Sequence, residues 1–202
     1  MPRCNFTAGP SRYVLPGNHD SFSNDQWLAT FGYSRQFSVA VGDMLFLMLD
    51  TFGNSAGNGE KLPVDLDWVR SEIAKYPEYR VVICSHYFSD ADIAALQEIA
   101  GQNSRVLALF HGHTHQYEVI PGAAYVINDG AVAYTAFTDV SGTVWNFGYL
   151  DLRSLWGYQI LEWSGDAAVT YRVLLTADYQ ATNMQYTVES DIRQTEIPLG
   201  RD

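Results

Sequence analysis

Read from its amino end, the chain alternates short apolar runs with polar, turn-forming stretches. Tyr13-Val14-Leu15 predicts a strand over residues 12–15, and residues 24–30, around Trp27 and Leu28, fit a short helix. Residues 36–41 and 44–49, joined by Gly42-Asp43, fit a hairpin. Its second arm is almost wholly apolar, as a strand covered on both faces should be. A loop rich in Gly and Asn spans 53–59. Leu62-Pro63 then opens a predicted helix to about Lys75, with Leu66, Val69 and Ile73 on one face and Pro77 beyond its end. Residues 80–84 read as a buried strand. Ser89, with Asp92 three residues on, caps a helix whose Ile93, Leu96 and Ala100 face inward, and Gly101 suits its C-terminal cap. Residues 105–110 form another buried strand.

Beyond His115 the helical periods disappear. Runs at 117–120, 124–127, 131–137, 145–152, 158–163 and 168–174 have strand character, and Pro121-Gly122, Asp129-Gly130 and Gly165-Asp166 punctuate them. The first half therefore predicts alternating strands and helices, the second an antiparallel meander. An α/β chain whose sheet continues into a second one, a two-sheet β-sandwich flanked by helices, fits both. Residues 1–175 belong to one domain, and 176–202 to an edge strand or loose tail.

Composition narrows the partners. The 202 residues have room for one core. A formal charge of −11 with only two lysines, Lys61 and Lys75, argues against a nucleic-acid backbone as the main partner. Small phosphate esters stay open, because bound metal ions invert a local potential. The same acidity also fits a solvated, soluble surface. Cys4 and Cys84 imply no disulfide framework, Cys84 fitting a buried thiol. Asn5-Phe6-Thr7 is a glycosylation triplet of a kind common by chance. Met1 starts no signal-peptide pattern, and no apolar run is long enough to span a bilayer.

All five histidines fall within three motifs, each following a strand-like run. They are Gly17-Asn18-His19-Asp20, Ser85-His86-Tyr87 and His111-Gly112-His113-Thr114-His115. Imidazoles gathered at strand ends are how α/β proteins build metal centres. Asn18 adds a hard carbonyl oxygen, and a mixed N/O set suits Zn²⁺, Mn²⁺ or Fe. His19 beside Asp20 fits a general acid or charge stabiliser. Each piece also has an ordinary reading: His86 as a hydrogen-bonded core histidine, Asn18 as a turn residue, Asp20 as a helix cap, His111 as a packing residue.

Together, Gly-Asn-His-Asp, a strand ending in His and Gly-His-Thr-His resemble the last three of five motif blocks of calcineurin-like metallophosphoesterases. Leu49-Asp50-Thr51, Asp67-Trp68 and Asn128-Asp129-Gly130 extend the likeness over residues 13–130. The resemblance implies a β-sandwich flanked by helices with two metals at the strand ends. Asn18, His86 and His113 would ligate one metal and His115 the other, while His19, oriented by Asp20, would lie over the phosphate. The implied reaction is hydrolysis of a phosphomonoester or phosphodiester, of a small molecule or a phosphoprotein, by metal-activated water.

Two blocks of the family's pattern, Asp-x-His and Gly-Asp-x-x-Asp, do not occur in this sequence. The expectation is therefore the C-terminal portion of such a domain, with at most one weak metal site and little hydrolysis by itself. A missing N-terminal segment or self-association would complete the sheet. The alternative is a degenerate, non-catalytic binding or scaffolding module.

Overall fold

A computed structural model describes residues 12–20, 22–53, 61–114, 117–129, 137–138, 144–145, 157–164, 167–178 and 185–198. The glycosylation triplet, Cys4, His115, the Gly165-Asp166 turn and nearly all of residues 131–137 and 145–152 lie outside them. Two compact units emerge, one running to His113 and including Val119–Ile127, the other comprising Thr114–Glu118 and Asn128–Pro198.

The first unit is a mixed sheet flanked by helices, the α/β architecture the alternating runs predict. Helix α1 (Asn24–Phe31) precedes the hairpin β1 (Phe37–Val41) and β2 (Met44–Leu49). Then α2 (Leu66–Lys75), β3 (Arg80–Ser85), α3 (Asp90–Gln102) and β4 (Val106–His111) alternate. Strands β5 (Tyr117–Ile120) and β6 (Tyr125–Asp129) complete the order β1-β2-β3-β4-β6-β5. β2, β3 and β4 run parallel, in register Leu49↔Ser85 and Cys84↔Phe110. Their apolar sequences follow from burial: Leu45, Leu47, Leu49, Val81, Ile83 and Leu109 pack with Val69 and Ile73 of α2 and Leu96 and Ile99 of α3. Removing one such side chain down to alanine costs about 2–5 kcal/mol.

Three local expectations are corrected. Residues 12–17 belong to no ladder among the described residues. A strand needs a neighbour to satisfy its backbone, and this segment is held instead by the Tyr33 hydroxyl, which accepts from the Val14 N–H at 2.8 Å. Helix α2 starts at Leu66 rather than at Pro63, because Asp65 accepts the Trp68 N–H at 3.0 Å and acts as the N-cap. Gly101 lies inside α3, which continues to Gln102 with Asn103 as its C-cap. The Ser89–Asp92 capping box forms as expected, and Asp92 also accepts the Val64 N–H at 3.0 Å.

In the second unit, β9 (Gly157–Ser164), β10 (Ala167–Asp178) and β11 (Gln185–Pro198) form an antiparallel sheet in the order β11-β10-β9. β7 (Phe137–Thr138) and β8 (Val144–Trp145) pair separately.

Candidate metal centre

Because β2, β3 and β4 are parallel and adjacent, the residues that follow them emerge at one sheet edge. These are Asp50 to Phe52 after β2, His86 after β3, and Gly112 and His113 after β4. The Gly112 N–H donates to the His86 carbonyl at 3.1 Å, drawing the two imidazole-bearing segments together. Asn18 arrives on a turn closed upon itself: the Asp20 N–H donates to the Gly17 carbonyl at 3.2 Å. The Gly17 N–H donates to Asp20 Oδ2 at 2.7 Å.

His86 Nε2 lies 2.9 Å from Asn18 Oδ1 and 3.2 Å from His113 Nδ1. A ring nitrogen carries either one proton or one lone pair. Whichever His86 Nε2 carries, it serves only one of two close neighbours well. A shared cation removes the conflict, since all three atoms then present lone pairs to one point. Donors at about 2.0–2.2 Å from a cation, at tetrahedral to octahedral angles, stand roughly 3 Å apart. The observed spacing matches, and two imidazoles with an amide oxygen suit a borderline or hard divalent ion. The donor set fits a single cation with open positions.

The surroundings hold the rings in place. Gly17 lies against the His86 ring, where an added β-carbon would stand 3.3 Å from Cγ and Nδ1. Phe52, 2% exposed, packs on both imidazoles with ring centroids 5.4 Å from His86 and 5.6 Å from His113. Tyr87 stands edge-on to His113 at 4.9 Å, and Lys61 Nζ sits 3.9 Å over the Tyr87 ring. His113 has a left-handed backbone, φ 70°. For a residue bearing a β-carbon this costs about 1–2 kcal/mol, and such strain persists where the surroundings enforce it.

Phe52 owes its position to Asp50. One carboxylate oxygen, Oδ1, accepts the N–H groups of Phe52 and Gly53 at 3.0 and 3.1 Å. The other accepts from Arg35 Nε at 2.6 Å, in an ion pair whose side chains are only 5% and 12% exposed. The sequence marks Asp50 as a strand-end residue, but nothing in it points to Arg35 as the partner or to Phe52 as the ring packed against both imidazoles. Gly17 is similarly readable as a turn residue and not as a ring-packing one.

The structure thus brings Asn18, His86 and His113 together. His19 is exposed, next to Asn18 on the same turn. The Asp20 carboxylate closes that turn. His115 lies outside the described residues. His111 is buried against Phe88, ring centroids 5.6 Å apart. Among the described residues no three His, Cys, Asp or Glu side chains form a group able to hold a metal, so the cluster is two imidazoles and an amide without a carboxylate.

The class defined here is a mixed α/β sheet with flanking helices and an imidazole–amide cluster at the carboxyl ends of its parallel strands. No protein-family model and no curated protein matches the chain. Among solved structures, the chain is similar to a single-substitution variant of Vps29 from Entamoeba histolytica, with TM-score 0.34 and 12% identity over 84% of this chain and 63% of that one. It is likewise similar to Chaetomium thermophilum Vps29, with TM-score 0.36 and 13% identity over 83% of this chain and 62% of that one. The chain therefore spans less than two thirds of the length of these structures. At such TM-scores and identities the likeness assigns no activity.

Proposed function

We propose that Asn18, His86 and His113 bind one divalent cation, Zn²⁺, Mn²⁺ or Fe, and that the site serves hydrolysis of a phosphomonoester or phosphodiester. The observation that supports this most is the approach of His86 Nε2 to Asn18 Oδ1 at 2.9 Å and to His113 Nδ1 at 3.2 Å, where the motifs resembling metallophosphoesterases put metal ligands. When bound, the cation activates water and neutralises charge on phosphate oxygens. The chain's residues do the rest. His86 and His113 hold the ion through neutral nitrogens, Phe52 and Gly17 fix their ring planes, and Asp20 keeps Asn18 and His19 on one rigid turn. His19, solvent-accessible beside Asn18, donates a hydrogen bond or proton to the phosphate. His115 would ligate a second ion in a complete two-metal enzyme.

A second reading, a non-catalytic binding module, is favoured by the lack of any carboxylate in the cluster among the described residues. Metal binding and turnover of p-nitrophenyl phosphate and bis(p-nitrophenyl) phosphate separate the two. In the catalytic reading, with the Asp-x-His and Gly-Asp-x-x-Asp blocks supplied, His113→Ala lowers metal occupancy, whereas His19→Ala lowers turnover with occupancy kept. Equal metal loss in both variants would overturn that division of roles; occupancy without turnover in the protein with both blocks supplied supports the module.

A further inference from the structure

Lys61 stands beside the imidazole cluster, and three observations set it apart from a solvated surface lysine. Its Nζ lies 3.9 Å over the centre of the Tyr87 ring, and that ring stands edge-on to His113 with centroids 4.9 Å apart. The ammonium is therefore no further from the centre of the His113 ring than those two distances laid end to end. The main chain there is also tied down. The Leu62 N–H donates to the Thr51 carbonyl at 2.9 Å, which anchors the neighbouring Lys61 next to the segment that carries Phe52 against both imidazoles. Finally, an aromatic face attracts an ammonium without neutralising it, and Lys61 makes no ion pair among the described residues. Lys75, the chain's other lysine, is paired with Glu72 at the C-terminal end of α2.

Charge selects the ligand. With no carboxylate in the cluster among the described residues, a divalent cation held by Asn18, His86 and His113 keeps its full charge, and Lys61 adds one more. In a chain of formal charge −11 this makes a local positive spot. Asn18, His86 and His113 are each half-buried rather than enclosed, so an incoming anion reaches them. A phosphodiester brings a single negative charge. A phosphomonoester brings close to two charges and three acceptor oxygens, so the cation and the ammonium can take different oxygens at once. We infer that Lys61 binds the phosphate of a phosphomonoester dianion jointly with the cation and thereby selects monoesters over diesters. The inference rests on the cation site proposed above and names its substrate class. The flexible four-carbon stem of the lysine lets the ammonium move from the Tyr87 face to a phosphate oxygen while its backbone stays anchored.

The test uses the 202-residue chain labelled with [ε-¹³C]lysine, which gives one signal each for Lys61 and Lys75. It is run with one equivalent of Zn²⁺ at a pH well above about 6, where a phosphomonoester is a dianion. NMR of the imidazole rings first establishes Zn²⁺ uptake at His86 and His113. Methyl phosphate should then shift the Lys61 signal saturably and leave that of Lys75 unmoved. Lys61→Gln changes an exposed position, so the variant stays folded and keeps Zn²⁺. It should weaken methyl phosphate about threefold or more and dimethyl phosphate less than about twofold, while Lys61→Arg retains most of the monoester affinity. An unmoved Lys61 signal, an equal effect of Lys61→Gln on the two probes, or no methyl phosphate binding by the Zn²⁺-loaded chain overturns the inference and leaves the cation site standing. Failure of the two histidines to take up Zn²⁺ overturns the cation site and this inference with it.

Discussion

His113 combines a left-handed backbone with a ring nitrogen 3.2 Å from a second imidazole. Few residues other than glycine adopt that conformation without strain, so the side chain rather than the backbone explains why a histidine stands there. Two substitutions separate these contributions. His113→Ala and His113→Gly both delete the ligand, but only glycine relieves the strain; the glycine variant should be about 1 kcal/mol more stable than the alanine variant in urea denaturation. Equal stabilities, or a more stable alanine variant, would show that φ 70° is not costly here. Gly17 supplies a complementary probe. A methyl group there presses on the His86 ring, so Gly17→Ala should weaken cation binding several-fold while the thermal midpoint changes little. Unchanged affinity would mean that the ring yields freely.

Helices and strands differ in how far their sequences define them. β2, β3 and β4 are readable because parallel strands buried on both faces demand unbroken apolar runs. α3 is readable at its start, where Ser89 and Asp92 exchange hydrogen bonds with each other's backbone, and less so at its end, where Gly101 is overrun by one residue before the helix stops after Gln102. Asp92 does more than cap, since it also holds the Val64 N–H. Ser89→Ala should therefore cost about 1 kcal/mol, and Asp92→Ala more, because it strands further donors in half-buried surroundings. The reverse order in a chemical denaturation series would refute that link. Residues 12–15 illustrate the opposite limit: β-branched and aromatic character proposes a strand, but pairing decides it. At β11 the register against β10 shifts by two residues between Arg172 and Leu174, an irregularity of pairing that no local sequence signal marks.

Across the whole chain, the candidate site was more apparent in the sequence than its support. Asn18, His86 and His113 stand 68 and 27 residues apart; His86 and His113 follow parallel strands whose ends converge, whereas Asn18 follows a strand-like run that pairs with no strand among the described residues. The Arg35–Asp50 pair, Phe52 behind the imidazoles and Lys61 over the Tyr87 ring arise only from tertiary placement, and no local motif announces them. The absence of a carboxylate from the cluster, among the described residues, sets the expectation for the isolated polypeptide: one ion of modest affinity. The most direct measurement is calorimetric titration of the metal-free chain with Zn²⁺ or Mn²⁺, with NMR of the imidazole rings alongside. One ion per chain should bind, shifting His86 and His113 together, and His86→Ala or His113→Ala should abolish that event. Binding that persists in both variants, or no binding at all by a folded chain, would contradict a shared cation between Asn18, His86 and His113.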